Sequence, residues 1–148
     1  MATITRFEDL PIWQQSRTLC VNIHQLFTKP AFYADFKLRD QINGSSGSVM
    51  DNIAEGFERG SRNEFIQFLG YSKASCSEVK SQLYRALDRH FITETEFQAT
   101  YELADEISKQ IHYFIKYLNA SKVSGIKYKN RVDEPVPDYS EIKLPFIS

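Results

Sequence analysis

The chain has 148 residues, 42% of them hydrophobic, 25% charged and 14% aromatic, with a formal net charge of −1. A single domain of this length buries about two-thirds of its unfolded surface, so its core needs neither a metal nor disulfides, and the composition excludes general disorder. The charge balance excludes a uniformly basic nucleic-acid binder but leaves room for a local basic patch, while Cys20 and Cys76, far apart and without a CxxC pair, exclude a disulfide framework or a zinc ribbon.

Residues 1–6 lack the apolar core of a signal peptide. No run approaches the roughly 18 uncharged apolar residues of a membrane span. The expectation is a cytoplasmic protein that does not engage a membrane.

Trp13, Leu19, Cys20, Ile23, Leu26 and Phe27 have helical spacing and predict a first helix over residues 10–27. Asp9 is its expected cap, Pro11 is tolerated in its first turn, and Lys29-Pro30 is its expected stop. A second helix is expected from Asp35, with Leu38, Ile42, Ser45, Val49, Ile53 and Gly56 recurring every three or four residues. Ser61-Arg62-Asn63-Glu64 is a capping box that opens a third helix. Its seam, Phe65, Leu69, Ser72, Cys76, Val79, Leu83 and Ala86, alternates steps of four and three, which favours shallow crossing. Thr93-Glu94-Thr95-Glu96 is another capping box and opens a fourth helix with its seam at Phe97, Tyr101, Ala104, Ser108, Ile111, Ile115 and Leu118.

The expected fold class is all-α: an antiparallel up-and-down four-helix bundle over residues 1–118 with an irregular C-terminal tail over 119–148. The tail carries Gly125, Pro135, Pro137 and Pro145 and ends in Leu144-Pro145-Phe146-Ile147. Two readings of that end stand side by side, a docked segment and a frayed terminus.

Asn43-Gly44-Ser45-Ser46-Gly47-Ser48 lies mid-way along the second helix. Each glycine there costs about 1 kcal/mol relative to alanine. Either close neighbours offset that cost or the helix kinks at Gly44-Ser45. Gly47 and Ala54 fall opposite the apolar seam, which suggests neighbours on several sides, within the chain or across a subunit interface. Gln41, Ser48, Asn52 and Glu55 share one polar flank, which either hydrogen-bonds a neighbouring helix or lines a cleft. Gly56 is read as relaxing the helix end and Gly60 as serving the turn. Gly70 to Ser77 is a second run of small residues, and two thin helices in succession favour tight pairing. Cys76, on the seam, reads as a small buried hydrophobe rather than a nucleophile.

Residues 59–92 carry six basic and three acidic side chains, and residues 93–118 carry two basic and five acidic ones. Arg62, Lys73 and Lys80 fall on one stripe of the third helix, with Tyr84 beside it and Arg59 in the preceding turn. Such a stripe can track a phosphate backbone and stack a base. It can equally flank the core and face the acidic fourth helix at Glu102, Asp105 and Glu106.

Catalytic signatures are missing. The three histidines lack the Glu-x-x-His spacing of a di-iron bundle, and there is no GxSxG, GxGxxG or P-loop. The expectation is a protein that is not an enzyme and has no cofactor or metal.

The order and spacing of Phe7-Glu8-Asp9-Leu10, Trp13-Gln14, Leu38-Arg39-Asp40-Gln41-Ile42, Asn52-Ile53-Ala54-Glu55-Gly56-Phe57-Glu58-Arg59, Glu64-Phe65, Phe68-Leu69 and Glu78-Val79-Lys80-Ser81-Gln82-Leu83 resemble the bacterial 23S rRNA intervening-sequence protein family over roughly residues 7–118. The segment from Asn52 to Gly56 with Arg59 is the most specific part. The resemblance implies a four-helix bundle assembled as a homopentamer, with no catalytic activity attached to the family. It also implies a fold shared with the accessory proteins of diversity-generating retroelements, which are associated with nucleic acid. Many relatives have paired arginines where Asn43 and Gly44 stand here. The candidate nucleic-acid contacts are therefore Arg59, Arg62, Lys73, Lys80 and Tyr84, and the candidate structural or interface motif is Gly44, Gly47, Asn52, Glu55 and Gly56. Expected partners are further copies of the chain and RNA or DNA; the alternative is a scaffold that binds a protein partner and no nucleic acid.

Overall fold

The computed structural model describes residues 3–122 and 142–146. A single 3-10 turn, Phe7–Asp9, leads into α1 (Pro11–Leu26), followed by the short α2 (Pro30–Ala34), α3 (Phe36–Glu58), α4 (Arg62–Asp88) and α5 (Glu94–Lys122). The four long helices are the four expected. Most of the expected tail, residues 123–141, lies outside the described residues.

Several local expectations are corrected. Asp9 is not the cap of α1. It belongs to the 3-10 turn, and the cap position falls to Leu10, which makes no side-chain bond. Pro30 does not merely stop the first helix but opens α2, whose Phe32 is fully buried against the rings of Phe27 and Phe91. The helix does not break at Gly44-Ser45, since α3 runs continuously through both glycines. Helix α5 continues past residue 118 to Lys122.

The Thr93/Glu96 capping box forms in both directions, whereas at Ser61/Glu64 only the hydroxyl half is present and the Glu64 carboxylate turns toward Arg59. Ser61 Oγ accepts the Glu64 amide at 3.4 Å. Thr93 Oγ1 accepts the Glu96 amide at 3.1 Å, and the Thr93 amide donates to Glu96 Oε1 at 2.9 Å. Lys29, just before α2, pairs with the same Glu96 carboxylate and so ties the α1–α2 corner to the start of α5. Gly60 takes φ +71° in the α3–α4 turn.

Helix α1 packs on α3 and α5, and α4 packs on the same two, so α1/α4 and α3/α5 are the diagonals of a four-membered bundle. The pairing is antiparallel. Gln41 meets Arg85, Ser48 meets Ser75, Val49 meets Ser72 and Gly56 meets Phe68, so the α4 partner retreats as α3 advances. Lys73 meets His112, Lys80 meets Asp105 and Tyr84 meets Tyr101 in the same sense between α4 and α5. The seams converge on one core in which Leu19, Ile42, Ile53, Phe65, Leu83, Ile111 and Phe114 are sealed from solvent. Cys76 is fully buried in it, and burial pushes its thiol up to about 12, so it is a protonated core residue at neutral pH.

Tight α3–α4 pairing is present, but at particular positions. A Cβ added to Gly56 would lie 2.6 Å from Phe68 Cβ and 3.1 Å from Phe65 Cδ1. Gly56 is therefore a close-approach position rather than a relaxed helix end. Nearby, Ser72 Oγ donates to Val49 O at 2.6 Å inside the core. By contrast, among the described residues nothing beyond the helix's own backbone and the chain neighbours lies within 4 Å of a Cβ built on Gly44, Gly47 or Gly70.

The C-terminal segment docks. Leu144 is buried, and the Phe146 ring lies 5.7 Å from both Phe57 and Phe65. Tyr117 Oη donates to Ile142 O at 3.0 Å, and the Ile4 amide donates to Lys143 O at 2.7 Å beside a parallel bridge between Thr3 and Lys143.

Glycine substitutions separate these environments. Gly56→Ala is expected to lower stability by about 1–3 kcal/mol, because Phe68 Cβ sits on the α4 backbone and cannot swing away. Gly70→Ala, on an exposed helical face, is expected to raise it by about 0.5–1 kcal/mol. Urea unfolding of both variants against the parent checks the opposite signs.

Candidate nucleic-acid interface

The five candidate contacts do not form one continuous stripe facing solvent. Arg59, just past the end of α3, pairs with Glu55 Oε1 at 3.0 Å, approaches Glu64 Oε1 at 4.0 Å and lies 5.1 Å over the Phe68 ring. Arg62 opens α4 with its Nε buried and without a hydrogen-bond partner. The other three candidates line the α4–α5 groove, where they divide between two halves of different charge.

In one half, Lys80 Nζ donates to Asp105 Oδ1 at 3.0 Å and lies 5.4 Å over Tyr101. Tyr84, half exposed, packs its ring on Phe97 at 4.8 Å and on Tyr101 at 5.7 Å. It lines a broad depression of about 680 Å³ whose charged walls are Glu94 and Glu102. The local field there opposes a polyanion.

The other half is basic. Lys73 from α4 and Ser108, Lys109, His112 and Tyr113 from α5 enclose an open cleft of about 320 Å³. The Lys73 ammonium lies 3.1 Å from His112 Nδ1, and since an ammonium can only donate, the ring nitrogen is the acceptor. Lys116 Nζ lies 5.8 Å over the Tyr113 ring. Sequence reading found Lys73 but missed Lys109, His112, Tyr113 and Lys116. Counting charge over the whole of α5 hid them, because the acids occupy its first half and the lysines its second. The distribution along the helix was the available signal.

Asp105 stands at the boundary. Its two oxygens take Lys80 at 3.0 Å and Lys109 at 3.0 Å. Hydrogen bonds from Lys80, then from Lys109, hold its carboxyl below the ordinary range.

The structural motif resolves into separate roles. Asn52 Nδ2 donates to Ser48 O at 2.8 Å and lies 2.9 Å from Ser48 Oγ, which in turn accepts from Ser75 Oγ at 3.0 Å. Glu55 is held by Arg59, Gly56 takes the close approach of α4, and Gly44 and Gly47 face open space within the chain. Ala54 is only half-buried. Among the described residues no cluster of three or more His, Cys, Asp or Glu is placed to hold a metal, and no helix is long and apolar enough to cross a membrane.

Replacing Asp105 by Asn tests the boundary. Its lowered carboxyl means that the native pairing contributes fully above the unfolded value of about 3.9 and is lost as pH falls through the folded value. The variant is expected to be less stable than the parent by under about 1 kcal/mol at pH 7, since the pair is partly exposed. Denaturant unfolding from pH 7 to pH 2 should show that difference closing at the acid end.

Comparison with known proteins gives the fold and the family. A crystal structure of a protein with unknown function from the S23 ribosomal protein family of Bacteroides thetaiotaomicron is 24% identical, with a TM-score of 0.65, over 71% of this chain and 98% of its own. No curated protein matches the chain. The family model for the 23S rRNA-intervening sequence protein matches residues 8–113. With most of its length so matched, the chain belongs to the 23S rRNA-intervening sequence protein family.

Proposed function

We propose that this chain is a non-catalytic, self-associating helical bundle that binds RNA or DNA along the basic half of the α4–α5 groove. The observation that carries the reading is the cleft of Lys73, Lys109, His112 and Tyr113, flanked by Lys116. Phosphates attract the ammonium groups, and the tyrosine ring offers a face on which a base can stack. Arg62, a cation at the start of α4, is a further contact in the same reading, though its buried Nε takes no part in it.

Self-association is the second part of the proposal. The resemblance noted in the sequence implies a ring of five subunits, and glycines at 44 and 47 with open space above them suit the approach of another copy. Five weak clefts on one ring would bind a long strand with raised avidity.

A second reading, a scaffold for a protein partner without nucleic acid, is supported by the ion pairs that hold Lys80 and Arg59 within the chain.

Fluorescence anisotropy with labelled single-stranded RNA and DNA and a duplex distinguishes the two. Binding at low salt should fall with a log–log slope of about −0.7 per phosphate contacted on a single strand or −0.9 on a duplex. Lys73→Glu combined with Lys109→Glu should weaken it about tenfold or more, whereas Lys80→Met should leave it within about twofold, because Lys80 is mostly buried between Asp105 and the Tyr101 ring while Lys109, though it shares Asp105, is largely exposed. No binding of any probe at low salt favours the scaffold. For assembly, light scattering should give a multimer for the parent and a smaller species for Gly44→Leu/Gly47→Leu with an unchanged helical circular dichroism spectrum. A monomeric parent refutes self-association.

A further inference from the structure

We infer that His112 is the positioning residue of the basic α4–α5 cleft: its neutral ring holds the Lys73 ammonium, and a nucleic-acid phosphate bound there draws a proton onto that ring, so that affinity rises as pH falls. The inference rests on the nucleic-acid reading of the same cleft and couples that binding to a proton. Its ground is the contact between Lys73 Nζ and His112 Nδ1 at 3.1 Å, which joins α4 to α5 across the groove.

An ammonium has no lone pair, so Nδ1 supplies one and the neutral ring carries its proton on Nε2. Protonating Nδ1 breaks that bond and sets two cations against each other at the same distance. The surroundings do not relieve them. From α4 the ring faces Lys73, and on α5 it is flanked by Lys109, by Tyr113 with ring centroids 5.6 Å apart, and by Lys116 one turn on. Among the described residues no carboxylate lines the cleft. On α5, Asp105 is taken by Lys80 and Lys109, and Glu106 accepts from Gln110. On α4, Glu64 turns to Arg59 and Glu78 to Ser45 of α3, while α1, the other helix packed on α5, contains no acid.

A phosphate in the cleft reverses this balance. Its oxygens accept from Lys73 and from the protonated ring together, so an anion that pairs with both now separates the two cations. The bound state therefore holds more protons than the free state. By linkage, binding is weakest at high pH and strengthens as pH falls through the bound-state value. The ordinary imidazole value near 6.5 places the window between about pH 8 and pH 5.5. Lysines stay charged and phosphodiesters stay ionised throughout it, so His112 is the group in the cleft whose charge changes.

Fluorescence anisotropy of the full chain with oligothymidylate, whose bases do not titrate in that window, tests the inference. Affinity should rise about fivefold or more from pH 8 to pH 5.5, and the log–log salt slope should steepen by about 0.7 as one more cation meets the strand. His112→Gln keeps an acceptor for Lys73 but takes up no proton, so its affinity should change by less than about twofold over the same range. Where that variant does not fold, the converse one serves. His24→Gln/His90→Asn removes the other two imidazoles, both exposed, and should keep the full effect; Asn suits the φ of +58° at position 90. Parent binding that ignores pH overturns the inference and leaves nucleic-acid binding standing. So does an effect that persists in His112→Gln or is lost in the His24/His90 variant. No binding at either pH removes the nucleic-acid reading and this inference with it.

Discussion

The bundle depends on how closely α3 and α4 approach. Gly56 gives up its side chain where Phe68 Cβ arrives, and Ser72 places a hydroxyl on the Val49 carbonyl inside the core. Larger residues at either position would hold the helices apart and loosen the packing between them. With α4 fixed against α3, its remaining sides are defined. One turns to α5 and builds the groove of alternating charge. Another turns outward beside α3 and forms the polar cleft of Glu78 and Arg85.

The α4–α5 groove shows why formal net charge is a poor guide to a surface. Helix α5 is acidic in total, yet the cleft around Lys73 is basic because Lys109 and Lys116 lie beyond Asp105. Asp105 accepts from Lys80 on one side and Lys109 on the other, so a single carboxylate separates an acidic aromatic depression from a basic aromatic one. Interactions between exposed charges decay over a Debye length of about 8 Å at physiological salt, so an incoming ligand meets the charge of the half it touches more than the total of the chain.

What could be read from the sequence was local or periodic. The boxes at Ser61/Glu64 and Thr93/Glu96 involve residues three apart, and the seams of the long helices repeat every three or four. Both signals survive folding because neighbours along the chain remain neighbours in space. Gly56 was misread because a glycine near a helix end looks like a terminator, and only Phe68, from the next helix, reveals its role. Helix α2 escaped notice because five residues are too few to show a period. Its hold comes from Phe32 packing on Phe27 and Phe91, residues brought together from three segments. Asp9 failed as a cap because the 3-10 turn, braced by the Phe7–Trp13 ring contact at 5.2 Å, had already claimed it. Asp105, the partner of Lys80, was among the acids expected to face the basic stripe of α4, whereas His112 beside Lys73 carried no charge pattern to mark it.

The pairing of Thr3 and Ile4 with Lys143 turns the described chain into a closed circuit, with Leu144 and Phe146 seated just beyond the junction. Each end supports the other, so the two are coupled in the sense of a thermodynamic cycle. Trimming the first few residues and trimming the last few should cost less together than the sum of the separate losses, since one seam is opened in either case.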